Sequence, residues 1–412
     1  MEKKLELLAP AGDLEKLKVA VDYGADAVYC GGEAFGLRAG AKNFSPEQLA
    51  EGVGYAHKRG RKVHLTLNIF AHNEDIKPLR NYLREIRSIP LDAFIVSDPG
   101  VVALIKEERP DAELHLSTQA NTTNYLSARF WHGQGVKRVV LARELSLKEI
   151  QELRRQTPDS LELESFVHGA MCISYSGRCL LSNYMIGRDA NHGECAHPCR
   201  WKYSVVEEQR PGEYFPVRED ERGTYIFNSK DLCMIGYIPE LAAAGLTSLK
   251  IEGRVKSAFY VAAVVGAYRQ AIDAYERDPE HWTFQEKWLR ELTKVSHRQF
   301  TTGFYFGKPD SAAQNYETSQ YCRDYTFLGI VRSYDPETGV AEVEQRNKMS
   351  KGDRVEIFGP GGVCFEQELR EMRDKDGISI TEAPHAQQII QIPVERPVFP
   401  NFMLRKGKDV VR

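Results

Sequence analysis

Short apolar runs recur along the first 250 or so residues of this chain, and most are followed by a segment whose apolar positions return every three to four residues. The runs fall at Leu5–Leu8, Ala27–Tyr29, Val63–Ile69, Ala93–Val96, Leu114–Leu116, Arg138–Leu141, Leu161–Phe166 and Ser248–Ile251. Between them lie LEKLKVAVDYG, SPEQLAEGVGYAHKRG, KPLRNYLREIRS and SLKEIQELRRQ, which carry the helical period. Asp13, Ser45, Ser146 and Asp231 precede amphipathic runs as candidate N-caps, because a short polar side chain can accept from an unpaired N–H of the first turn. Eight strand-then-helix units predict an α/β fold, a TIM-like (β/α)8 barrel; a doubly wound sheet would more often stop at five or six strands.

After the barrel, residues 1–276, the pattern changes. Val261–Tyr275 predicts the closing helix. Residues 277–318 form a connector with a helical piece, Phe284–Val295, and a Gly- and aromatic-rich stretch, Arg298–Lys308. From residue 319 to 412, segments such as TFLGIVRSYDPETGVAEVEQ and KGDRVEIFGPGG alternate with turn signals, predicting a closed or nearly closed small β-barrel that folds as a domain of its own.

Five of the eight cysteines crowd between Cys172 and Cys233: Cys172 and Cys179 in GAMCISYSGRC, Cys195 and Cys199 in HGECAHPC, and Cys233 in SKDLC. This stretch lacks dense hydrophobic periodicity, so a crosslink or a metal would stand in for a core. The chain enters a strand pattern at once, without an apolar leader, and its longest apolar run, Tyr260–Tyr268, is far too short to span a bilayer. A cytoplasmic chain with no membrane partner is expected, and clustered thiols there bind metal or react and do not pair as disulfides. Three residues separate Cys195 from Cys199, while the other gaps are six, fifteen and thirty-three, which suits ligands gathered from several loops. Thiolate ligation fits an iron–sulfur cluster or zinc, with His192 or His197 able to complete a zinc site; spacing does not choose between them.

On the barrel, residues 170–232 become an insertion after the seventh strand, with Cys233 opening the next helix. Loops after barrel strands lie at the carboxyl face, where such folds carry their chemistry. Polar residues mark the other strand ends. Glu164, His168 and Glu252 are the candidate acid–base groups; Arg38, Asn68, Gln119, Arg143, Lys250 and Arg254 are candidates for holding a substrate. Several cations on one face predict a small carboxylate or phosphate ligand.

The net charge of −3 gives no global field to capture a polyanion. Locally, Lys58, Arg59, Arg61 and Lys62 fall on the opposite face of the barrel and read as solvated surface. Arg346, Lys348, Lys351 and Arg354, taken with Phe304, Tyr305 and Phe306, suit an unpaired RNA loop. Neither a His-Glu-x-x-His zinc motif nor a Gly-x-Ser-x-Gly elbow is present, and His168 near Cys172 is the obvious cysteine–histidine pair.

Glu164-x-Phe166-x-x-Gly169-Ala170-Met171-Cys172, then Gly177-x-Cys179 and Ser182, resembles the signature of the collagenase-like peptidases of family U32. LLAPAGDLEKLKVAVDYGADAVYCGG and Gly-Glu-Cys-x-x-x-Cys-Arg-Trp are similar to that family too, and the likeness runs from about Leu5 to the C-terminus. Bacterial members act in hydroxylation of the tRNA wobble uridine with prephenate, of a 23S ribosomal RNA cytidine, and of ubiquinone precursors. The resemblance therefore implies an RNA hydroxylase with a [4Fe-4S] cluster on Cys172, Cys179, Cys195 and Cys233, leaving Cys199 spare. It further implies the anticodon arm of tRNA as partner and prephenate as co-substrate, and leaves room for a homologous partner subunit. The peptidase activity in the family's name is the competing expectation.

Overall fold

The computed structural model describes residues 4–33, 43–172, 174–175, 179–188, 190, 194–201, 204–205, 215–216, 230–307, 322 and 324–408. Eight parallel strands form a closed barrel: β1 (Glu6–Pro10), β2 (Ala27–Gly31), β3 (Lys62–Leu67), β4 (Ala93–Val96), β5 (Leu114–Leu116), β6 (Val136–Val140), β7 (Glu162–Ala170) and β8 (Ser248–Ile251). Each pairs with the next, and β8 closes the ring by pairing with both β7 and β1. Around them run α1 (Leu14–Asp22), α2 (Pro46–His57), α3 (Asn73–Glu85), α4 (Pro99–Glu108), α5 (Tyr125–Gly133) and α6 (Leu147–Arg155). Then come α7 (Leu181–Ile186), α8 (Ile238–Ala243), the closing α9 (Ala258–Arg277) and α10 (Glu286–Thr293). The caps are as the sequence predicts at three positions: Asp13 accepts from Lys16 N–H, and Ser45 and Ser146 form capping boxes with Gln48 and Glu149.

Asp231 is the fourth, and it is not a cap. β7 continues to Ala170, beyond the barrel rim, and Asp231–Cys233 forms a short strand antiparallel to that overhang, pairing Cys233 with His168. An overhanging strand presents unpaired backbone groups that another segment must satisfy. Cys233 therefore lies in a strand, not at a helix start.

The barrel interior holds a charged layer. Arg138 on β6 bridges Glu6, Glu162 and Glu164, at 2.7 Å to Glu162 and 3.1 Å to Glu164, and Lys250 meets Glu164 at 2.8 Å. His64 and His115 complete it, their rings edge to face at 4.7 Å. Above this layer, toward the carboxyl face, sit Leu8, Tyr29 and Ile95.

The C-terminal part is an antiparallel sheet of β9 (Tyr325–Asp335), β10 (Val340–Gln345), β11 (Arg354–Phe358), β12 (Cys364–Glu368), β13 (Arg373–Asp374), β14 (Ile389–Pro393) and β15 (Met403–Gly407). Its order is β12-β11-β15-β9-β10-β14-β13. The sheet has a core of its own, including Val331, Val343, Ile357, Ile390 and Leu404, yet Ile330, Phe358 and Met403 belong to the barrel's core. Phe259 of α9 stacks on Phe327 at 5.2 Å, Tyr23 donates to the carbonyls of Phe358 and Asn401, and the fully buried Arg405 pairs with Glu291 of α10. The two parts are packed as one hydrophobic body. Among the described residues no helix is long and apolar enough to cross a membrane.

Candidate functional site

At the carboxyl end of the barrel is a cavity of about 130 Å³ whose wall is built from strand ends and the cysteine-rich insertion. Asn68 follows β3, Ser117 and Gln119 follow β5, Arg143 follows β6, and Lys250, Glu252 and Arg254 come from the end of β8 and just beyond it. Cys172, Tyr175, Cys179, Cys195, His197 and Cys199 close it from the insertion side.

Each cation is held by design of the fold. Arg143 donates to Ala170 O at 2.8 Å and to Glu252 at 3.2 Å, with its guanidinium 3.8 Å from the Phe166 ring centre. Arg254 donates to Thr66 Oγ1 at 2.8 Å and is almost fully buried. Lys250 rests 4.4 Å from the Tyr29 ring centre while pairing with Glu164 below. Burial lowers the Lys250 ammonium and Glu164 pulls it back. Burial alone would raise the Glu164 carboxyl, but Lys250 and Arg138 outweigh it and hold it at about 2. Three cations and one carboxylate, Glu252, thus line this cavity, with Glu164 pairing Lys250 from below, a local excess of positive charge suited to an anion.

Six of the candidate residues are brought together as the sequence suggests: Asn68, Gln119, Arg143, Lys250, Glu252 and Arg254 all line the cavity. Arg38 lies outside the described residues, as does His192. Glu164 and His168 are not on the cavity wall. Glu164 sits mid-strand in the charged layer, because β7 runs six residues further than its position. His168 would face inward by alternation from Phe166, but a bulge in the β7–β8 pairing, between Lys250 and Ile251, re-aims it. It is buried against the rings of Tyr260, Tyr268 and Phe300, and that burial lowers its pKa to about 3. As the pair for Cys172, His168 gives way to a different contact: His197 Nδ1 lies 3.9 Å from Cys195 Sγ.

Cys172, Cys179, Cys195 and Cys199 share the cavity wall. Cys233 does not; it is buried behind β7, where burial pushes its thiol up to about 11. Among the described residues no three His, Cys, Asp or Glu side chains stand close enough to hold a metal ion. The donor chemistry nevertheless fits a thiolate-bound centre, four thiols on one wall and a fifth one strand away. His197 N–H also donates to Cys195 Sγ at 3.4 Å, the kind of backbone contact that tunes a ligating sulfur.

Ser117, Ser174 and Tyr175 also line this wall and were not singled out from sequence. The signal was present: Ser117 is two residues before Gln119 in LSTQANTTN, and Ser174 and Tyr175 follow the Cys172 signature directly. Leu180, Tyr184 and Trp201 stand exposed on the insertion, at 66%, 86% and 43%. A bond from Ala196 N–H to Ser182 Oγ ties the segments that carry Tyr184 and Trp201. The basic surface is less available than its residues suggest. Arg346 pairs with Glu15 and Glu344, Lys348 with Glu382, and Tyr305 is buried with its hydroxyl on Ser165 and Phe166 O. On the opposite face, Arg59 stacks over Tyr55 and meets Asp22, and Arg61 meets Asp26.

A (β/α)8 protein with a thiol-rich cap over a cationic, amide-lined mouth is the class that fold and site define. The chain belongs to peptidase family U32: the family's model matches residues 12–315, and that of the U32 C-terminal domain matches residues 323–405. It is 44% identical to tRNA hydroxylation protein P1 of Bacillus subtilis, over 98% of this chain and 96% of that one. It is 39% identical to tRNA hydroxylation protein P of Escherichia coli, over 97% and 96%. A collagenase of Porphyromonas gingivalis is 32% identical, over 97% of both chains.

Proposed function

We propose that this chain is a tRNA hydroxylase, acting at carbon 5 of the wobble uridine with prephenate or a similar carboxylate as co-substrate, and that it carries a [4Fe-4S] cluster. The observation that carries the reading is the convergence of thiols, cations and side-chain amides on one cavity at the barrel mouth. The names of its full-length relatives supply the substrate class.

The division of labour follows from chemistry. Arg143, Lys250 and Arg254 hold the carboxylates of the small ligand, and Glu252 keeps Arg143 aimed. Glu164 acts at one remove, fixing the Lys250 ammonium. Cys172, Cys179 and Cys195 would hold the cluster with Cys233, as the family resemblance implies; when bound, the cluster would supply electron transfer or rigidity to the cap. A wobble base is unpaired in its loop, so it can turn into a barrel pocket at small energetic cost. Tyr175, Tyr184 and Trp201 offer ring faces near the mouth for neighbouring bases of the anticodon arm. Such a substrate places the protein in the cytoplasm. Zinc is the lesser metal, since it would leave a structural cap without a redox partner.

One contact favours the peptidase alternative: Cys195 and His197 are close enough to act as nucleophile and base. The two readings part on experiment. Mass spectrometry of tRNA nucleosides from cells lacking this chain should reveal loss of 5-hydroxyuridine derivatives, restored by the wild-type protein. Unchanged tRNA together with gelatin cleavage by the purified protein would replace this reading with the peptidase one.

A further inference from the structure

Four residues that line the cavity each hold a buried polar atom without a hydrogen-bond partner among the described residues: Asn68 Oδ1, Gln119 Oε1, Arg143 Nε and Ser174 Oγ. Buried polar groups are seldom left unpaired, so these atoms outline the ligand that completes them. The two side-chain carbonyls can only accept; Arg143 Nε can only donate; the Ser174 hydroxyl can do either. The carbonyls stand on a common wall. Asn68 Nδ2 donates to Ser117 Oγ at 3.1 Å, and the same hydroxyl accepts from the Gln119 backbone N–H at 3.3 Å. With its amino group so engaged, the Asn68 side chain has only its oxygen left to offer, as an acceptor.

A ligand must therefore bring two donor hydrogens to the β3–β5 wall. Prephenate cannot, since its carboxylates and ketone only accept and its single hydroxyl supplies at most one donor, and its carboxylates belong with the cations. That leaves the amide wall to the nucleoside. Uridine carries a donor at base N3 and another at the ribose 2′-hydroxyl. Cytidine has a lone pair at N3 and moves its donor to N4, one position along the edge, and deoxyuridine lacks the 2′-hydroxyl.

We infer that Asn68 and Gln119 are the specificity-determining residues of this cavity, accepting from N3–H and the 2′-hydroxyl of a uridine in RNA. The inference rests on the RNA-hydroxylase reading and adds to it how uridine is told from cytidine and RNA from DNA.

The test uses full-length, anaerobically purified protein and four anticodon stem-loop RNAs. They carry uridine, N3-methyluridine, 2′-deoxyuridine or cytidine at the wobble position, and both Kd and hydroxylation are measured. Wild type should bind the uridine loop about tenfold or more tightly than each analogue, the size of one lost hydrogen bond in a buried site. Asn68→Leu and Gln119→Leu should each weaken the uridine loop and lose discrimination against one donor-lacking analogue, so that protein and RNA changes are not additive. Asn68→Asp and Gln119→Glu keep an acceptor and should retain that discrimination. Equal weakening of all four RNAs by both Leu variants, with unchanged melting temperature, would show the amides to be structural. Wild type that prefers the cytidine loop would overturn the inference while leaving RNA hydroxylation standing. Wild type that neither binds nor hydroxylates any of the loops would remove both.

Discussion

Gly31 makes room for Arg254: a Cβ built on the glycine would stand 2.5 Å from Arg254 Nη1. The same atom would lie 3.1 Å from Asn43 Oδ1 and 3.4 Å from Thr66 Oγ1, so it has nowhere to retreat. Gly12 performs the same service for the Arg254 backbone, whose carbonyl oxygen would be 1.9 Å from a Cβ there. The glycines of LLAPAGD and YCGG thus converge on one cation at the end of β8.

Gly31→Ala is expected to push the Arg254 guanidinium off Thr66, with overpacking costing about 1–3 kcal/mol in stability. Prephenate affinity should fall about tenfold, the value of one charge-assisted hydrogen bond, and approach that of Arg254→Ala. Calorimetric titration of both variants checks this. A Gly31→Ala protein that binds prephenate as wild type does would show that Arg254 is placed by other contacts.

The barrel was legible because its strands are short apolar runs and its helices are capped by Asp13, Ser45 and Ser146, all local signals. The mouth was legible for the same reason: a residue just past a barrel strand faces the cavity, which placed Asn68, Gln119 and Arg143. His168 escaped because a bulge shifts alternation by one residue, and nothing in FVHGA announces it. Glu164 escaped because β7 is longer than its apolar run. Asp231 failed as a cap because its strand exists through pairing with β7, a partner some sixty residues away that periodicity cannot reveal.

The histidines buried neutral should make the fold acid-sensitive. Burial lowers His64, His115 and His168, so each binds a proton more readily in the unfolded chain, and acid favours unfolding. The stability they contribute is whole above pH 6.5 and drains as pH falls; for His168 the loss continues to about pH 3 and reaches roughly 2 kcal/mol by pH 5. Glu164 adds a second loss below about pH 4.5, since its carboxyl is held at about 2. Urea midpoints from pH 7.5 to pH 5 should fall steeply for wild type and less so for His168→Phe. If His168→Phe abolishes hydroxylation without altering the fold, His168 acts in catalysis despite its distance from the cavity wall.

Cysteine replacement should divide the five clustered thiols. Cys172→Ser, Cys179→Ser, Cys195→Ser and Cys233→Ser are each expected to remove most of about four irons per chain, as for a single [4Fe-4S] centre, and Cys199→Ser to retain them. Iron and sulfide assays on anaerobic protein decide it. Cys233 is the informative position, since its thiol lies behind β7 while Cys199 lines the cavity. Loss of iron from Cys199→Ser with retention in Cys233→Ser would give the fourth position to Cys199. Colourless wild-type protein with one zinc would remove the cluster altogether.

The seam between barrel and C-terminal sheet decides whether the barrel can stand alone. Arg405, fully buried, is 2.8 Å from Glu356 and pairs with Glu291 of α10, its guanidinium 4.2 Å from the Phe358 ring centre. Ending the chain near residue 318 would leave Glu291 without this partner and bare Tyr23 and Phe259, both buried in the whole chain. Glu291 keeps Lys294 at 3.7 Å and becomes open to solvent, so the cost falls on the apolar seam laid bare, about 1.5–3 kcal/mol for each of the two large rings. That sum is a large share of the net stability of a typical domain, so the truncated barrel should aggregate or melt well below the full chain. Arg405→Met should lower the melting temperature of the full chain more than Arg332→Met, because Arg405 is fully buried while the Arg332 side chain is 32% exposed. Thermal melts followed by circular dichroism measure both. A truncated chain that stays soluble and melts with the full-length protein would show the sheet to be an appendage, with its contribution confined to substrate binding.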